Sequence, residues 1–136
     1  MIADHYKAVK ALLPQGLPVH IVTVPKDPQF PYVVLWGDPG RESSGDESGE
    51  SLQDIPRSLA LRMRATYVGL SADSVFITAQ RVRNSLHRVR PVVAGRSCSR
   101  LRQAPLTDIQ VDTDVTVNSA HPVFSVDEFT FVSDAA

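Results

Sequence analysis

The sequence predicts an α+β domain: a mainly antiparallel sheet with one long helix packed on it and a short helix at its N-terminus. Three observations lead there. Residues Ser58–Gly69 alternate apolar and polar side chains over a full strand length. Residues 72–89 repeat their apolar groups at helical spacing between a capping serine and a proline. The other apolar runs are short, rich in β-branched residues and joined by hairpin-length connections, as in an antiparallel sheet. The predicted order over residues 1–136 is α-β-β-loop-β-α-β-β-β.

Asp4 opens the first helix, where Tyr6, Val9 and Leu13 share a face before Pro14 and Gly16 stop it. Val19–Val24 is a β-branched run closed by Pro25, and Phe30–Trp36 is a second strand with Pro31 at its start or on a sheet edge. Lys26–Gln29 reads as a hairpin-like connection between the two. Residues 37–54 are almost free of apolar groups, and Gly, Ser and acidic residues dominate them. Such a stretch cannot bury enough apolar surface to order itself, so it is expected to be a flexible acidic loop that orders against a partner. Arg41, Glu42, Asp46, Glu47 and Glu50 are its candidate partner-contact residues.

In Ser58–Gly69, Leu59, Leu61, Met63, Ala65 and Tyr67 form the core phase, and Arg62, Arg64 and Thr66 the other. Ser71 is the expected N-cap of the long helix, and Asp73 in the first turn suits the positive helix end. The stripe Val75, Ala79, Val82, Leu86, Val89 carries the helix to Val89, with Pro91 just beyond. Arg81 and Arg88 lie opposite the stripe, Arg83 and Arg90 border it, and Ile77 points away from it. Three strands are expected after Gly95: Arg100–Gln103, Ile109–Val117 and Val123–Val132. Asp112 and Asp114 then share one face of the second.

The chain has 136 residues, 43% hydrophobic and 21% charged. This length suits one domain that buries roughly two-thirds of its unfolded surface. The single cysteine, Cys98, excludes an internal disulfide framework. No apolar run approaches a membrane span and the N-terminus shows no secretory leader, so no membrane partner and a cytoplasmic site of synthesis are expected.

The sequence also lacks a phosphate-binding glycine loop, a dinucleotide fingerprint and a nucleophile elbow. His5, His20, His87 and His121 are far apart and without ligand spacing. Asp108, Asp112 and Asp114 lack the oxygens and the glycine of a calcium loop. Cys98 sits among Arg96, Arg100 and Arg102 but has no candidate base. No catalytic, cofactor or metal residue is assigned, and the expectation is a non-enzyme.

Net charge is −1, yet charge is strongly segregated. Residues 57–102 hold ten arginines, no lysine and one aspartate, and residues 103–136 hold six acidic residues and no basic one. Three readings compete for the arginine block. It forms a solvated or internally paired face, it binds nucleic acid, or it pairs with acidic segments of another subunit. A pI near 6.4 and the absence of interleaved aromatics weigh against nucleic acid. Subunit pairing uses both charge signs and is preferred.

The order of these pieces resembles the tail terminator family of long-tailed (siphovirus-like) bacteriophages. The resemblance rests on the short first helix, the strand Phe30-Pro31-Tyr32-Val33-Val34-Leu35, the strand end Tyr67-Val68-Gly69 and the helix Ala72-x-x-Val75…Val82-x-x-x-Leu86. It continues in Val93-Ala94-Gly95-Arg96-x-Cys98-x-Arg100-Leu101 and in the closing Pro122-Val123-Phe124-Ser125-Val126-Asp127-Glu128-Phe129. The Gly-Arg-x-Cys version is similar to proteins of actinobacterial phages. The resemblance covers nearly the whole chain and carries no catalytic signature. It implies a virion protein at the tail–neck junction, assembled in the host cytoplasm. There a homo-hexameric ring caps the tail tube, stops its polymerisation and joins the tail to the head-completion (neck) proteins, with genomic DNA passing through the lumen. In such a ring Arg62, Arg64, Arg81 and Arg88 are expected at subunit contacts or facing the lumen. The alternatives are a neck or head-completion protein of the same particle, and a small nucleic-acid-binding accessory protein using the arginine-rich 57–102 segment.

Overall fold

The computed structural model describes residues 2–42 and 58–135. They form two helices and eight strands, in the order α1 (Ile2–Ala11), β1 (Val19–Ile21), β2 (Tyr32–Gly37), β3 (Arg41–Glu42), β4 (Ser58–Gly69), α2 (Ala72–Leu86), β5 (Arg96–Cys98), β6 (Arg102–Pro105), β7 (Gln110–Val111) and β8 (Val123–Ala135). The fold is α+β, as the sequence predicts, but its sheet is mixed.

The sheet is built on one long antiparallel pair. Every residue of β4 from Ser58 to Gly69 faces a residue of β8, from Asp134 back to Val123. The other edge of β4 takes β2 and β3, and the other edge of β8 takes β5, β6 and β7 in turn. Because opposed residues share a face, the register assigns each side chain to one side. Leu59, Leu61, Met63, Ala65 and Tyr67 lie on one face with Phe131, Phe129 and Asp127, and all are buried. Both helices pack on this face. α1 supplies Tyr6 and Val9, and α2 supplies Val75, Val82 and Leu86. Fully burying each such side chain is worth about 1.5–3 kcal/mol.

β4 has the predicted boundaries, and Ser71 is the predicted cap, with its hydroxyl accepting from the Ser74 N–H at 3.2 Å. Other expectations are corrected. β1 and β2 run parallel, so residues 22–31 are a crossover and not a hairpin. β1 stops at Ile21 because Val22 turns to φ 64° while its N–H still bonds to Leu35 O at 2.8 Å. Gly37, expected in the loop, ends β2, and Arg41–Glu42 pairs with Ala60 and Leu59.

α2 ends at Leu86 and does not reach Val89. His87 is extended, Arg88 takes φ 62°, and residues 88 and 89 exchange backbone hydrogen bonds with Leu101 instead. Thr78 is buried on the helix, while Ala79 is only partly buried. The strand expected over 109–117 shrinks to Gln110–Val111. Asp112 breaks it, its carboxylate accepting from the Asp114 N–H at 3.2 Å. Asn118 and Ser119 then turn with φ 50° and 66° between the bridged Val117 and Ala120. Asp112 and Asp114 therefore share no strand face. Instead of one strand at 100–103, the chain makes β5 and β6.

Gly37 is required where β2 leaves the sheet. Its φ is 148°, and a Cβ there would lie 2.4 Å from Arg62 O. Gly37→Ala is expected to lower stability by about 1–3 kcal/mol, read from denaturant midpoints at unchanged slope.

Candidate functional site

The described residues hold two concentrations of polar chemistry, on opposite faces of the sheet.

The first is buried. Asp127 sits on β8 in phase with Phe129 and Phe131 and is 2% exposed. From α2, Arg83 donates to both of its oxygens, Nε to Oδ2 and Nη2 to Oδ1, each at 2.7 Å. The Tyr67 hydroxyl of β4 donates to Oδ2 at 2.7 Å, and the Gln103 amide of β6 to Oδ1 at 3.3 Å. Four donors thus fill the acceptor capacity of the carboxylate. Burial, and next the charge of Asp127, push the Tyr67 phenol far above its ordinary value. The Arg83 pKa is raised by its hydrogen bonds to Asp127. A cavity of about 510 Å³ between α2 and residues 107–109 reaches this network. Both oxygens are committed to donors, and through them the carboxylate ties α2, β4 and β6 to β8.

A second buried group ties α1 to the sheet. His5 Nε2 lies 2.8 Å from the Ser133 hydroxyl, which also accepts from Arg96 Nε at 2.6 Å. Arg96 Nη2 donates to Ser133 O at 2.7 Å. Cys98 is buried in the core beside this group, away from the exposed Arg100.

The second concentration is the open face of the sheet. Trp36, Ala60, Arg62, Arg64, Thr66, Thr130 and Val132 point to this side, away from both helices. Arg64 lies over the Trp36 ring, 5.0 Å from its centroid, and the indole N–H donates to Thr66 Oγ1 at 2.8 Å. Glu128 is shared, 3.6 Å from Arg62 Nε and 3.7 Å from Arg64 Nε. Beyond Arg62 the face deepens into a cleft of about 560 Å³, lined by Arg41, Arg62, Arg100, Arg102, Ser99 and Thr130 among others. Among the described residues no carboxylate lines it. At the opposite end lies an apolar cleft of about 530 Å³, walled by Phe30, Tyr32, Val68 and Phe124. Burial, and next Asp112, raise the Tyr32 phenol above its ordinary value.

The predicted site residues divide between the two sides. Arg62 and Arg64 are neighbours on the open face. Arg81 is exposed on α2, on the helical side, beside Leu17 and Phe30. Arg88 is exposed just after α2. The structure does not bring these two to the first pair. Arg41 joins Arg62 in the basic cleft, and Glu42 ends β3. Asp46, Glu47 and Glu50 lie outside the described residues.

No protein-family model matches the chain, and no curated protein matches it. Among solved structures it is similar to a chain in the virion of a native gene transfer agent (GTA) particle. The two are 16% identical with a TM-score of 0.57, over 100% of this chain and 95% of that one. At this identity the likeness is one of fold.

Sequence reasoning missed Asp127, His5 and the pairing of Arg41 with Arg100 and Arg102. Asp127 carries a readable signal, an acid in the core phase of the run Ser125, Asp127, Phe129, Phe131. The arginine cleft carries none, because β3, β4 and the 99–102 segment meet only in the folded sheet.

Arg83→Ala is expected to destabilise the protein by about 3 kcal/mol in equilibrium unfolding, because it leaves a buried carboxylate with its charge unpaired. A pH series checks Tyr67. Its raised pKa means that its contribution is complete below the unfolded value near 10 and is lost as pH rises above it. The stability gap between the native chain and Tyr67→Phe is therefore expected to narrow above about pH 10.

Proposed function

We propose that this chain is a structural protein of a phage-like virion, and within it a ring-forming tail terminator. The supporting observation is the full-length fold likeness to a chain of a gene transfer agent virion. Two features agree with a ring. One face of the sheet is free of helices and carries arginines, while acidic groups are concentrated in other parts of the chain. A ring repeats one heterologous contact, in which two different patches of the same chain meet, and opposite charges on separate patches suit that contact. No step of chemistry belongs to this role.

In this reading the ring caps the tail tube at the tail–neck junction. It meets the tube protein on one side and the head-completion proteins on the other, and genomic DNA passes through the lumen without sequence-specific contacts. Arg62 and Arg64 on the open face, and Arg81 on α2, then belong to different surfaces of the ring. Among the described residues no helix is long and apolar enough to cross a membrane.

Light scattering over a concentration series, with negative-stain images of the peak, tests the proposal. The expected result is a closed ring at six times the 14.9 kDa chain mass. A chain that stays monomeric and also fails to sediment with preformed tail tubes overturns it.

A further inference from the structure

Two apolar features sit at the Gly69 end of the β4–β8 pair, on opposite faces of the sheet. On the helical face, Phe76 and Ile77 stand on the first turns of α2, where Val75 lies against Gly69. They are 58% and 61% exposed. Ile77 points away from the buried stripe of its own helix, so the core of the chain does not account for it. Adjacent bulky apolar side chains with this much exposed area mark a contact surface, where a single one does not.

On the open face lies the apolar cleft of about 530 Å³, walled by Phe30, Tyr32, Val68 and Phe124. Val24 and Val115 line it as well and are themselves exposed. The cleft begins at Thr66, eight residues along β4 from Ser58, or about 26 Å. That is beyond the apolar residues that precede β4 in the chain, of which Leu52 is six residues from Ser58 and spans about 20 Å at full extension. The sheet itself separates α2 from the cleft, so a chain cannot seat its own Phe76 and Ile77 there. A second copy can.

The charges agree with that occupant. On the outer side of α2, Asp73 stands one turn before Ile77 and Arg81 one turn after it. The cleft carries Lys26, Asp27 and Asp112 among its apolar walls. An amphipathic helix laid in an apolar groove is a recurring mode of recognition, and groups of opposite sign at its margins fix the register.

We propose that the apolar cleft of one copy receives the outer side of α2 of a second copy, with Phe76 and Ile77 as its anchors. This deepens the ring reading and rests on it: the contact joins two different surfaces, and so repeats head to tail. It places Arg81 at the subunit contact, against Asp27 or Asp112, and leaves Arg62 and Arg64 outside it.

The experiment uses two full-length variants changed only at exposed positions, with circular dichroism to check that each folds. One removes the anchors, with Phe76→Ser and Ile77→Ser. The other charges the cleft, with Val24→Lys and Val115→Lys. Each alone is expected to remain at the 14.9 kDa chain mass. Their equimolar mixture is expected to stop at a dimer of twice that mass, because one chain keeps only its cleft and the other only its anchors. Cross-linking reads the same contact in the assembled state, in solution or on tail tubes. In chains that also carry Cys98→Ala, a mixture of Ile77→Cys and Val115→Cys chains is expected to give a dimer with a short bis-maleimide, and either chain alone is expected to give none.

A mixture that yields neither dimer nor cross-link overturns the proposal. Variants that both assemble like the native chain overturn it while leaving the ring intact. Cross-linking between two Ile77→Cys chains shows α2 meeting α2 and also overturns it. A cleft variant that keeps the native mass but no longer sediments with tail tubes assigns the cleft to the tube protein, with the same consequence. The ring reading is judged separately, on the mass of the native chain and its sedimentation with tubes.

Discussion

A carboxylate stripped of water must be answered by donors, and around Asp127 that requirement sets the positions of four elements. Its oxygens take hydrogen bonds from Arg83 on α2, Tyr67 on β4 and Gln103 on β6, while Asp127 itself lies on β8. An uncompensated buried carboxylate costs several kcal/mol, so a sliding helix or a slipped strand is opposed by charge as well as by packing. Apolar packing alone tolerates small shifts of a helix over a sheet. A two-pronged arginine contact at 2.7 Å does not. The His5–Ser133–Arg96 group does the same for α1 and β5, with the Ser133 hydroxyl and carbonyl as acceptors in place of a carboxylate.

With both helices fixed on one face, the other face carries no helix among the described residues. The twelve-residue pairing of β4 with β8 determines its content, because every second residue of both strands must point outward. The outward set runs from arginines at one end, past Trp36 and Glu128, to apolar groups around Tyr32 and Phe124 at the other. A surface so graded from basic to apolar is suited to an oriented contact.

The strands and helices were legible where local periodicity ruled. Ser58–Gly69 alternates without a break, and its boundaries follow from that alone. Prediction failed where long-range bonding overrode local preference. The apolar stripe of α2 continues to Val89, but Leu101 captures the backbone of residues 88 and 89 and ends the helix early. The run 109–117 alternates like a strand, but the Asp112 side chain folds it into a turn. Residues 19–36 look like a hairpin because both strands are short and close in sequence. The strands pair in parallel instead, and the chain leaves β1 through a left-handed turn at Val22, a conformation that no sequence rule assigns to a β-branched residue.

By itself, then, the sequence determined the fold class, the core phase of β4, the cap of α2 and the segregation of charge. Each of these depends on neighbours within a few positions, or on composition alone. Only the tertiary structure decided the direction of β1, the burial of Asp127 with its donors, and the meeting of Arg41, Arg62, Arg100 and Arg102. These residues lie far apart along the chain, and strand register brings them together. Register is a property of the whole sheet, so it becomes readable only when all its strands are in place.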